Sequence, residues 1–185
     1  MPRKRTSGFS LIELLVTLAV IGILLGAGQP LMAMMLESRR VSGAAEAVQS
    51  ALHFARSEGI KQMVPMVVTY SMNNTGAWRV GIRDRTTCDT AIADPEDETA
   101  CSIPQADERV LKVFEAAEFP GVIARATRGS TRFNPVRGTA LGTNATVTLR
   151  STGGKEVRVI VSNIGRVRSC SPSGDGKVLG YPTCR

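Results

Sequence analysis

Between Phe9 and Leu36 the chain carries a single charge, Glu13, in an otherwise apolar run. No other feature constrains the fold as strongly. About 20 mostly apolar residues span a bilayer, so the run is long enough to do so as a helix. Three bases, Arg3, Lys4 and Arg5, precede it. Cytoplasmic flanks are rich in Lys and Arg, so the leader is expected inside and the bulk of the chain outside. An ordinary secretory signal is cut after its apolar core. Here the small residue that invites cutting, Gly8, stands before the core, and the apolar segment is expected to stay with the mature chain. A plain anchor leaves Glu13 unexplained, because a carboxylate in an apolar stretch is costly without a partner or a position near the interface.

The ordered string Gly8, Phe9, Ser10, Leu11, Ile12, Glu13 and the apolar run behind it resemble the start of type IV pilin-like precursors. The resemblance implies that a prepilin peptidase cuts after Gly8 and methylates the new N-terminal Phe9. It also implies that Glu13 pairs with the terminal amine of a neighbouring subunit. Pro30 removes a helix hydrogen bond and permits a kink. Gly22, Gly26 and Gly28 lower helix propensity or allow close approach. Three parts are expected: a leader over 1–8, a membrane and filament-core helix over 9–36, and a periplasmic globular part over 37–185. Such a helix would sit in the inner membrane first and pack into a filament later.

The net charge of +7 is unevenly spread. Residues 84–118 hold ten acids and three bases, whereas residues 121–185 hold eleven bases and two acids, Glu156 and Asp175. A basic C-terminal third suggests an anionic partner, although a solvated basic surface has the same composition. Of the three ways to pair four cysteines, Cys88–Cys101 and Cys170–Cys184 are favoured, since each closes a short loop rich in Pro, Gly, Asp or Thr. Disulfides are permitted outside the cytoplasm. Zinc is disfavoured: there is no C-x-x-C, and His53 lies far away in a helical stretch. No nucleophile–base constellation, phosphate-cradling glycine loop or metal set suggests an enzyme, and no cofactor is expected.

Past Leu36 the helical period continues. Val41, Ala44, Ala45, Val48, Ala51, Leu52 and Ala55 mark one buried face. Arg39, Arg40, Glu46, Arg56 and Glu58 fit an exposed one, and the helix is expected to end near Gly59 or soon after. His53, Phe54 and Trp78 read as packing residues. After Pro65 the period becomes two, with strands expected at 66–71, 78–83, 110–115, 131–133, 146–151, 156–161 and 167–170. Thr152–Lys155 reads as a hairpin loop. Residues 84–107 read as an acidic surface loop pinned by Cys88–Cys101. The expected class is α+β: a long N-terminal helix packed on antiparallel sheets.

This order, with the helix end ALHFARSEGIKQ and the pair 146–161, resembles the minor pilin and pseudopilin family of FimT and GspH. Gly165-Arg166-Val167-Arg168 is similar to the GRxR motif of FimT-type minor pilins that bind DNA during natural transformation. The physics fits: Gly165 suits a tight turn, and Arg166 and Arg168, two apart, share a strand face. Each guanidinium forks onto phosphate oxygens. Nothing in the spacing reads bases, so sequence-independent, salt-sensitive contact with double-stranded DNA is expected. Lys155, Arg158, Lys177 and Arg185 are expected as secondary contacts. Other pilins and minor pilins are the implied protein partners. The alternative is a purely structural subunit, priming pilus assembly or serving a type II secretion pseudopilus, for which Arg166 and Arg168 are ordinary exposed residues.

Overall fold

The seven small and apolar positions stepped through Val41–Ala55 are all fully buried, and they define the side of the helix on which the rest is built. The computed structural model describes residues 10–73 and 76–184, without the side chains of 27–31. Gly8, Phe9 and Arg185 therefore lie outside the described residues. The chain divides into two units, 1–36 and 37–185. The first contains the start of α1 (Leu11–Gln62), whose apolar side chains are exposed there, among them Leu11, Ile12 and Leu15. Glu13 lies in the first turn of α1 and is exposed. Among the described residues no helix is long and apolar enough to cross a membrane; the run read from the sequence includes Phe9 and side chains 27–31, which are not among them.

The second unit has its own core. Its strands are β1 (Met66–Met72), β2 (Trp78–Asp84), β3 (Ser102–Gln105), β4 (Glu108–Leu111), β5 (Val113–Glu115), β6 (Val122–Ala126), β7 (Ser130–Phe133), β8 (Ala145–Ser151), β9 (Glu156–Val161) and β10 (Val167–Cys170). They form two four-stranded sheets, β5-β2-β1-β7 and β10-β9-β8-β6, and the hairpin β3-β4. All named pairings are antiparallel. Alternation of side chains sends Val68, Val80 and Phe133 from the first sheet, and Val147, Leu149, Val157 and Val159 from the second, into one core with the helix face. Trp78, 1% exposed, stacks on Phe119 and donates its indole N–H to Val122 O at 3.0 Å. The fold is α+β, with the helix packed on antiparallel sheets.

The helix ends at Gln62, soon after Gly59, as its spacing implied. Several other expectations need correction. Glu58 is not an exposed residue; it is 7% exposed, and its carboxylate accepts from Gln62 Nε2 at 2.7 Å and Lys61 Nζ at 3.2 Å. The Gln62 hydrogen bond, chiefly, holds its pKa below the ordinary value. His53 is exposed rather than packed, whereas Phe54 does pack against the core, half-buried, with Lys112 Nζ 5.4 Å from its ring centroid. The strand expected over 110–115 breaks at Lys112, whose N–H turns to Cys101 O at 2.8 Å. The acidic stretch is not all loop: β3 arises within it, with Ala100, Cys101, Ser102 and Ile103 buried. Strand β6 had no counterpart in the sequence reading.

Candidate nucleic-acid interface

The GRVR segment ends the β9–β10 hairpin. Ser162 N–H donates to Arg166 O at 3.0 Å, Gly165 N–H to Ser162 O at 2.8 Å, and Arg166 N–H to Ser162 Oγ at 3.2 Å. Gly165 has φ +77°, and a Cβ there would overlap the carbonyl of Gly138. Only glycine fits both demands. The neighbouring loop is held from its own side: Asn134 Oδ1 accepts from the N–H groups of Val136 and Arg137 at 2.9 and 3.1 Å, and Ala140 N–H donates to Asn163 O at 2.9 Å.

Burial alternates through the motif. Gly165 and Val167 are buried, and Arg166 and Arg168 are exposed. The two arginines thus share a side, although Arg166 precedes the strand proper. Among the described residues neither has an acidic partner within 4.0 Å. With Ser169, Cys170, Pro182 and Thr183 they line an open recess of about 430 Å³. The recess wall is covalently fixed. Cys170 bridges Cys184, and Cys88 bridges Cys101; these are the two local pairings the sequence favoured. Ser171 N–H donates to Pro182 O at 2.9 Å and Cys184 N–H to Ser171 O at 3.0 Å. Ser169 Oγ hydrogen-bonds Gln49 Oε1 on α1. Tyr181 of the tail is half-buried; desolvation, chiefly, raises its pKa above 10.0, and a hydrogen bond with Ser42 opposes this.

The structure does not bring every expected contact to this recess. Lys155 Nζ donates to the carbonyls of Asp175 at 2.9 Å and Lys177 at 3.3 Å, so it clasps the tail. Lys155 and Lys177 sit at the other end of β9, about 20 Å from Arg166 at roughly 3.3 Å per residue. Arg158 Nε donates to Glu156 Oε1 at 2.7 Å.

The sequence reading missed two arginines. In the register Arg125↔Thr148↔Arg158 and Arg150↔Glu156, Arg125 and Arg150 emerge on the same outer face of the second sheet as Arg158 and Arg168. Both are exposed. A groove of about 680 Å³ runs between them, lined also by Ile123, Thr148, Ser151, Thr152, Arg158 and one acid, Glu156. The Thr152–Lys155 hairpin already sets Arg150 opposite Glu156, so one signal was present. Trp78 and Tyr70 are buried, and they form no stacking platform on this face. Among the described residues no group of three or more His, Cys, Asp or Glu is placed to hold a metal.

A helix packed on two antiparallel sheets, behind an N-terminus that matches the prokaryotic N-terminal methylation motif over residues 3–28, defines a pilin-like subunit. The family is more specific: residues 44–165 match the model of type II transport protein GspH, and the chain belongs to that family of minor pilins and pseudopilins. Its members are structural subunits and not enzymes. Two crystal structures of the type IV minor pilin FimU from Pseudomonas aeruginosa are similar. One is 17% identical over 76% of this chain and 98% of that one, with a TM-score of 0.47. The other is 16% identical over 80% and 98%, with a TM-score of 0.49. No curated protein matches the chain.

Proposed function

We propose that this chain is a minor type IV pilin that binds double-stranded DNA without regard to sequence and assists its uptake in natural transformation. The observation that carries the reading is the pair Arg166 and Arg168, exposed on one side of the β9–β10 hairpin with no acidic partner within 4.0 Å among the described residues. Two free guanidiniums suit phosphate oxygens and contain no base-reading geometry. In this reading the peptidase cuts after Gly8, Phe9 is methylated, and Glu13 pairs with the amine of a neighbouring pilin. The segment 9–36 holds the chain in the inner membrane, with 37–185 in the periplasm, until it enters the filament.

The test titrates a labelled duplex with the unit 37–185 at several salt concentrations, beside an Arg166→Gln/Arg168→Gln variant of unchanged circular dichroism. Each phosphate contact adds about 0.9 to the slope of log affinity against log salt, so the pair accounts for about 2. Weak, salt-sensitive binding that the variant loses supports DNA capture. Absence of binding at low salt and high protein concentration sinks it. The match to the type II transport protein model favours a second reading in that event, a structural minor pilin or secretion pseudopilin with protein partners alone.

A further inference from the structure

We propose that the DNA path does not stop at β10 but crosses the outer face of the second sheet, with Arg125 and Arg150 as its far phosphate contacts. This inference rests on the DNA-binding reading of Arg166 and Arg168. All four strands of the sheet contribute. Arg125, Thr148 and Arg158 lie in one cross-strand row, Arg150 stands two residues along β8, and Arg168 faces Ile160, two residues along β9. At about 4.8 Å between strands and about 3.3 Å per residue, Arg125 and Arg168 stand about 16 Å apart. That matches about five base pairs at roughly 3.4 Å of rise.

Most of the charge on this face has no ion pair among the described residues. Glu156 is the one acid among these outward positions of β6, β8, β9 and β10, and it takes only the Nε of Arg158. A guanidinium has five donors, so Arg158 keeps others for a phosphate. The groove adds hydroxyls at Thr148 and Thr152, which are phosphate-positioning groups. A polyanion with regularly spaced charges, lying across the strands, neutralises the whole row.

The experiment measures duplex affinity against salt for the unit 37–185 and its Arg125→Gln/Arg150→Gln variant. Arg125→Lys/Arg150→Lys separates charge from shape, and thermal melts confirm folding. Affinity at low salt should fall about tenfold and the salt slope by about 2, with the lysine variant keeping the slope. An unchanged slope and affinity, where Arg166→Gln/Arg168→Gln has lost binding, overturns the extended path and leaves the recess as the whole site. Wild-type protein that binds no duplex overturns both.

Discussion

The two four-stranded sheets use the same side chain in opposite ways. On the first, arginines are tied down: Arg79 Nε meets Glu115 Oε1 at 3.1 Å and Arg132 donates to Arg85 O, while Arg109 of the β3-β4 hairpin reaches Asp84 Oδ1 of β2 at 2.9 Å. The acidic segment settles on that sheet. The Cys88 N–H donates to Thr69 Oγ1 at 3.2 Å, and Cys101 covers Gly81, where a Cβ would collide with it. On the second sheet Arg158 is paired with Glu156 at 2.7 Å, but Arg125, Arg150, Arg166 and Arg168 point outward and make no ion pair within 4.0 Å among the described residues, although Arg150 stands opposite Glu156. Exposed ion pairs contribute only about 0–1 kcal/mol, so pairing on the first sheet matters less for stability than for cancelling its field. A net charge of +7 is thus a poor summary of a molecule with one neutralised face and one basic face.

The sharpest way to break this contrast is through the glycine that seats each surface. Gly165→Ala combines a left-handed backbone with a clash against Gly138 O. It should cost about 4 kcal/mol by urea unfolding, the sum of backbone strain and overpacking, and lower DNA affinity by displacing Arg166. Gly81→Ala should lift the acidic cover from the first sheet and destabilise, yet leave DNA affinity intact or raised. Equal loss of DNA binding in both would erase the distinction between the sheets.

The bridges come next. Each closes a loop of 13 or 14 residues, and each double serine variant should lose about 3 kcal/mol. Only Cys170→Ser/Cys184→Ser should also weaken duplex binding, because only that bridge walls the arginine recess. Smaller still, Arg79→Gln on the first sheet should change stability by about 1 kcal/mol or less and the duplex Kd by less than twofold. A large loss of affinity there would mean that the tied arginines also reach DNA.

The mildest effect belongs to Glu58. Its folded pKa is lowered from 4.5, so its stabilisation is present above that value and is lost as pH falls below it toward the folded pKa. Melts between pH 6 and pH 3, bounds chosen around that reference, should show a slope that flattens in Glu58→Gln. Gln62 also donates to Pro104 O at 3.1 Å, so this acid sensitivity should register at the β3 side and not in the arginine surface.

What the sequence displayed well were features with a local period. The helix face from Val41 to Ala55 and the hairpin of β8 and β9 follow from spacing alone, and burial agrees position by position. Elements held by distant partners were hidden. Strand β6 reads Val-Ile-Ala-Arg-Ala, with two alanines that favour strands weakly, and it exists because β8, more than twenty residues on, pairs with it. Glu58 looked exposed because it is charged, whereas Gln62 and Lys61 supply its partners one turn along the helix. The arginine pair of GRVR was visible as a motif. Its companions Arg125 and Arg150 were not, since their common face depends on pairing across three strands.

The register of β9 has a consequence for how this surface tolerates change. Arg158 and Ile160 face out because Val157, Val159 and Val161 face in, and the Thr152–Lys155 loop sets that parity. Shortening the loop by one residue, with pairing to β8 retained, would turn valines to solvent and Arg158 into the core. Insertions and deletions in this hairpin are therefore expected in even steps, or as changes bulged out of the ladder. The sign of the surface is in this sense an arithmetic property of the chain.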